Sequence, residues 1–183
     1  MYSSIAMLRV FAAGSLLICL LPLLSLAESG DVRLKNIPLN QAIRIGTGRQ
    51  VVIEVSDPDC RFSRRMVRYW DLRHDVTRYV FLVALKNRPE TVAKMRYILC
   101  AADHETAYRQ VYGGDLDFGE IAPGMHCDDH GLEAANRKVT TKLGIKGTPT
   151  YFINGIRIDG AKVGEIERIL GGDKYPFDAG DPE

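Results

Sequence analysis

Two apolar stretches with a helix-length segment between them constrain this chain more than anything else in it. Residues 50–56 contain Val51, Val52 and Ile53, and residues 77–85 contain the run Tyr79-Val80-Phe81-Leu82-Val83-Ala84-Leu85. Both are nearly continuously apolar, the pattern of strands covered on both faces. Glu54 is the polar interruption in the first, and Asp57-Pro58 stops it. Phe62, Met66, Val67 and Trp70 then recur at helical spacing over 60–73, with Asp57 or Asp59 as N-cap candidates. Strand, helix and strand in this order predict a βαβ unit with parallel strands.

The remainder fits around that unit. Pro89-Glu90 suits a first helical turn, and Val92, Met95, Ile98 and Leu99 form an apolar stripe behind it. A second helical piece over 105–111 ends at Gly113-Gly114, residues 115–129 read as loop, and a helix over 132–143 stops at Gly144. Thr148-Pro149 leads into a strand over 150–153. Asn154-Gly155 is a two-residue hairpin turn, residues 156–158 form the return strand, and 162–170 form a last helix. Residues 34–45 read either as a short helix or as an irregular lead-in.

With 183 residues the chain has length for one domain and a real core. A net charge of +1 gives no support for nucleic-acid binding. The apolar run over 10–24, after Arg9 and before Ser25-Leu26-Ala27, reads as a secretory signal over 1–27, with a retained membrane anchor as the competing reading. The expected organisation is therefore a signal, a lead-in over 28–50, an α/β domain over 51–171 with a helical insertion near 89–143, and a loose tail over 172–183. After cleavage no membrane association is expected, and the mature chain is expected to be exported.

Cleavage also removes Cys19 and leaves Cys60, Cys100 and Cys127. In an exported protein an odd count suggests one bridge and one free thiol. Cys60 is the natural odd one out, since it opens a helix whose unpaired amides stabilise negative charge, among Arg61, Arg64 and Arg65. Asp57 and Asp59 oppose that potential. Ser63 lies one turn on and is placed to donate a hydrogen bond to a thiolate. His126-Cys127-Asp128-Asp129-His130 has metal-binding residue types, but no metal or other cofactor is expected.

Asp-Pro-Asp-Cys60-x-x-Ser63 after a strand, the segment Leu143-Gly144-Ile145-Lys146-Gly147-Thr148-Pro149-Thr150, the hairpin and the terminal helix together resemble a thioredoxin fold. More narrowly, the chain resembles the DsbC/DsbG family of periplasmic thiol:disulfide interchange proteins over 51–171. That resemblance implies a central mixed sheet flanked by helices. It also implies a cis Pro149 opposite Cys60, Thr148 presenting its backbone to substrate, and a structural disulfide between Cys100 and Cys127. The family often carries a buried acid where Glu54 stands, shuttling a proton. The residue-level alternative is a Glu54 facing solvent or paired with an arginine.

Two departures from the family matter. Ser63 occupies the place of the resolving cysteine, so Cys60 cannot be released by internal attack. The stretch before the first strand is also too short for the family's N-terminal dimerisation domain, so a monomer is expected. Two functions are carried forward. One is a monothiol disulfide-exchange protein, an isomerase, reductase-like carrier or thiol-trapping chaperone. Its partners would be exported cysteine-containing proteins and a redox partner or low-molecular-weight thiol. The other is a redox-inactive binding module, possible in a conjugation or secretion apparatus.

Overall fold

The computed structural model describes residues 34–118, 121 and 127–171. The signal, the start of the lead-in and the tail assigned from sequence lie outside these residues. The described residues form five strands and five α-helices, in chain order β1 (Ile43–Ile45), β2 (Gln50–Ser56), α1 (Arg61–Asp71), β3 (Val76–Leu82), α2 (Pro89–Cys100), α3 (His104–Gly113), α4 (Leu132–Lys142), β4 (Thr150–Ile153), β5 (Ile156–Asp159) and α5 (Val163–Leu170). The sheet order is β1-β3-β2-β4-β5. β2 and β3 run parallel, as a βαβ crossover requires, and every other pair is antiparallel.

Period-two alternation sorts the strands between two layers. Val80 and Leu82 of β3 pack with Ile98 of α2 and with Tyr108 and Val111 of α3. Val52 of β2 and Tyr151 and Ile153 of β4 meet Met66 and Trp70 of α1 and Ile166 of α5. The intervening residues Val55, Phe81 and Phe152 turn to the other face, against Val139 of α4 and Leu143. Central strands covered on both sides explain the nearly unbroken apolar runs.

Two expectations are corrected here. The lead-in is not only irregular: after a 3-10 turn at Leu39–Gln41, Ile43–Ile45 forms an edge strand, with Ile43 opposite Val80. The sheet therefore extends into the segment set aside before residue 51. A three-residue strand has almost no period of its own, and its partner lies far along the chain. In α1, the buried face carries Ser63, Met66, Tyr69 and Trp70, while Phe62 is 37% exposed. Counting Phe62 as core rotated the helix wrongly by one position.

The helical insertion is closed covalently. Cys100, the last residue of α2, is bridged to Cys127, with 5.9 Å between their Cα atoms. Asp103 caps α3 through the Thr106 amide at 3.0 Å, and Gly114 ends it at φ 95°, a left-handed conformation that glycine adopts without a Cβ clash. Asn154 and Gly155, at φ 50° and 79°, make the tight turn between β4 and β5.

Candidate active site

The site lies where β2 ends and α1 begins. Asp57 builds the turn: its Oδ1 accepts from the Asp59 amide at 2.8 Å and its Oδ2 from the Leu85 amide at 3.0 Å. Its own carbonyl accepts from the Cys60 amide at 3.0 Å. Neither aspartate caps α1, contrary to the sequence expectation; Cys60 itself is the N-cap residue, in extended conformation with no side-chain cap bond. Asp57 is instead spent on tying the turn to the segment after β3.

Asp59 anchors the turn on its other side. Its carboxylate takes Lys94 Nζ at 2.8 Å and the Thr91 hydroxyl, both from α2, and Arg64 at 3.5 Å. Arg64 also donates from Nε to the Pro58 carbonyl at 2.6 Å and pairs with Asp117, which takes Lys94 at 2.6 Å as well. Burial pushes Asp59 up, but the hydrogen bonds and charges of its partners outweigh it and hold the carboxyl below its usual range. The Arg64 hydrogen bond holds Asp117 well below the carboxylate range. Arg64 was read from sequence as a source of free positive potential at Cys60; its charge is largely matched by these two carboxylates.

Opposite the turn stands the start of β4. Thr150 pairs with Val55 in the β2–β4 register, which carries Thr148 alongside the residues after Ser56. The Thr148-Pro149 peptide is cis. Thr150 Oγ1 bonds the Gly147 carbonyl at 2.9 Å and Asp159 at 3.0 Å, fixing this corner from behind. Cys60 Sγ lies 3.1 Å from the Thr148 carbonyl oxygen, so the protonated thiol donates to it. A thiolate has no proton to donate to that carbonyl. Cys60 is half-buried, the free cysteine among the described residues. It opens into a cleft of about 270 Å³ lined also by Phe62, Leu85, Lys86, Thr91 and Thr148.

Ser63 and Glu54 sit differently from Thr148. Ser63 is 1% exposed, and its Oγ makes no hydrogen bond among the described residues, to Cys60 or to any other group. Glu54 is fully buried beneath α1 and α3, and its Oε2 pairs with Arg78 Nη1 at 2.8 Å. Arg78 is also within 3.3 Å of the Tyr108 hydroxyl and 5.6 Å of the Trp70 ring centroid. Glu54 therefore combines burial with an arginine partner. Leaving either charge there without the other costs several kcal/mol, so the pair acts as a unit.

Leu85, Thr91 and Lys94 were not singled out from sequence, because their link to the turn spans 28 to 35 residues. The usable signal was the pair of aspartates flanking Pro58, too many acids for a single helix cap. His74 is exposed and His104 half-buried.

A central mixed sheet with a cysteine at the start of the first crossover helix and a cis proline facing it defines a thioredoxin-like fold. Solved structures agree. A disulfide interchange protein from Neisseria gonorrhoeae is 28% identical, with a TM-score of 0.58 over 71% of this chain and 95% of its own. A thioredoxin-like oxidoreductase from Silicibacter pomeroyi, 17% identical, has a TM-score of 0.59 over 74% and 95%. In sequence, the chain is 27% identical over 137 residues to the probable thiol:disulfide interchange protein DsbC of Bordetella pertussis, covering 72% of this chain. The chain spans 46% of that relative's length, about half. No family model matches the chain.

Proposed function

We propose that this protein carries out thiol–disulfide exchange through Cys60 alone, on exported proteins that contain cysteines. The observation that carries the reading is the Cys60 sulfur at a helix start, 3.1 Å from the Thr148 carbonyl and open to a cleft. The Cys60 thiolate attacks one sulfur of a substrate disulfide. The substrate S–S bond breaks, a Cys60–substrate disulfide forms, and the departing thiolate takes a proton from water. A second thiolate of the same substrate can then attack the substrate sulfur of that mixed disulfide, which rearranges the substrate without net redox change. Alternatively, a low-molecular-weight thiol attacks the Cys60 sulfur and frees the substrate thiol. A second such thiol releases Cys60, so the substrate is reduced and the small thiol is oxidised to its disulfide.

Ser63 provides no internal nucleophile, so release always depends on an outside thiol. The mixed disulfide is correspondingly long-lived, which suits isomerisation and thiol trapping better than rapid turnover. Thr148 presents the backbone beside which the substrate lies, and the Cys100–Cys127 bridge holds the insertion that supplies Thr91 and Lys94. The Glu54–Arg78 pair supports α1 and α3 from beneath.

An export signal over 1–27 places the protein in the periplasm under this reading. No helix among the described residues is long and apolar enough to cross a membrane. The test is mass spectrometry of acid-quenched protein after incubation with scrambled ribonuclease. Adducts on Cys60 and recovery of ribonuclease activity are the expected result. Equal recovery with Cys60→Ala would overturn the proposal and favour a redox-inactive binding module.

A further inference from the structure

The outer face of α1 carries charges that the site as described does not use. Arg61, Arg65 and Arg68 recur at i, i+4 and i+7, on one side of the helix. None of the three forms an ion pair with a described residue, whereas Arg64 between them is bound to Asp59 and Asp117. They line a cleft of about 560 Å³ between α1 and the end of α3, walled by Val67, Tyr112 and Gly113. Arg64 and Arg109 line it too, so five arginines face two carboxylates, Asp71 and Asp117. Both carboxylates are already committed, Asp71 to Arg109 and Asp117 to Arg64 and Lys94.

This basic cleft adjoins the Cys60 cleft, and Arg61 borders both. Phe62, which lines the Cys60 cleft, is 37% exposed, with the Arg61 guanidinium 4.7 Å and that of Arg65 5.7 Å from its ring centroid. Arg61 to Arg68 spans about 10 Å of helix, the length of roughly three residues of extended chain. A planar lipid surface would meet the exposed side of α1 but not reach into a cleft walled also by α3, whereas a polypeptide strand fits both.

We propose that the cleft along α1 binds an acidic segment of the substrate polypeptide flanking the cysteine that meets Cys60. The inference rests on the exchange reading above but is tested separately from it. Guanidiniums facing carboxylates contribute both affinity and faster encounter, and both weaken with salt. Binding selects substrates whose reactive cysteine has Asp or Glu within a few residues on the side that extends along α1.

The experiment measures binding without chemistry. Ten-residue peptides with a central serine in place of cysteine carry three glutamates, three glutamines or three lysines on one flank or the other, with a neutral dye. Fluorescence anisotropy should show the glutamate peptide of one flank binding about tenfold or more tighter than the glutamine peptide at low salt, with the gap closing in half-molar salt. Arg65→Gln/Arg68→Gln should bring the ratio close to one, and Arg65→Glu/Arg68→Glu should favour the lysine peptide. Equal binding of glutamate and glutamine peptides, a preference that survives the double glutamine variant, or recruitment through Arg65 and Arg68 to phosphatidylglycerol vesicles in place of the peptide would each overturn the inference. Rates of Cys60 with the matching cysteine peptides, activated as pyridyl disulfides, report on the exchange reading independently. An inert thiol with a selective cleft defeats that reading alone.

Discussion

Among the described residues the cysteines stand in two settings, and they are opposites. Cys60 stands at a helix start with a carbonyl at 3.1 Å and an open cleft beside it. Cys100 stands at a helix end and is tied to Cys127 across 27 residues. The first setting offers a thiol with no covalent partner and an exit for a leaving group. The second consumes both thiols in closing a loop. The same insertion is joined to the Cys60 turn through the Asp59–Lys94–Asp117–Arg64 cluster. The bridge closes the insertion on itself, and the charge cluster connects that insertion to the Cys60 turn.

Replacing the open cysteine should break the comparison most completely. Cys60→Ala is expected to abolish mixed-disulfide formation, read by mass spectrometry, while the urea midpoint moves by less than about 1 kcal/mol equivalent, since a partly exposed thiol contributes little packing. Exchange persisting in that variant would mean that the bridge is the reactive pair. Opening the bridge should do the reverse. Cys100→Ala/Cys127→Ala removes the closure of a 27-residue separation and is expected to cost about 3–4 kcal/mol in urea unfolding. The alkylation rate of Cys60 in the folded protein should stay within roughly twofold, because the α2 contacts to Asp59 remain.

Ser63→Cys sharpens the contrast by giving the open site a neighbour. A thiol one helical turn from Cys60 can attack the mixed disulfide from within, so the lifetime of a trapped Cys60–peptide adduct should shorten by about tenfold or more. An unchanged lifetime would show that position 63, buried at 1% exposure, is out of reach of the sulfur.

The smallest effect concerns the electrostatic tie. Asp59 and Asp117 both titrate below their usual range in the folded protein. A lowered folded value means that the stabilisation is complete above the unfolded carboxylate value near 4 and is lost as pH falls through the folded values. Unfolding free energy should therefore decline as pH drops below about 4, and Asp117→Asn should flatten part of that decline, by under about 1 kcal/mol because the cluster is partly exposed. A decline of equal slope in the variant would remove Asp117 from the tie.

Much of this was legible in the sequence because it is local. The apolar runs around 50–56 and 77–85, the stop at Asp57-Pro58, the Asn154-Gly155 turn and the apolar stripe of α2 each depend on residues within one or two turns of one another. β1 was not legible, since Ile43–Ile45 is a strand only by virtue of Val80. The arginine partner of Glu54 lies 24 residues away on the neighbouring strand, so sequence could pose burial and pairing but not combine them. Ser63 shows the limit from another side: its i+3 and i+7 relation to Met66 and Trp70 was readable, but a polar residue on a core face looks like a functional group until its surroundings are seen.

What the amino-acid sequence settled by itself was the βαβ frame and a cysteine at the start of its helix, because periodicity and a proline stop act over a few residues. Tertiary structure alone decided what that cysteine faces. Only the β2–β4 register brings Thr148 to Cys60, only the fold pairs Asp57 with Leu85 and Asp59 with Lys94, and only the approach of α3 turns three arginines of α1 into the wall of a cleft. Each of these joins groups 28 or more residues apart. Contacts at that range carry no local pattern for a sequence to display.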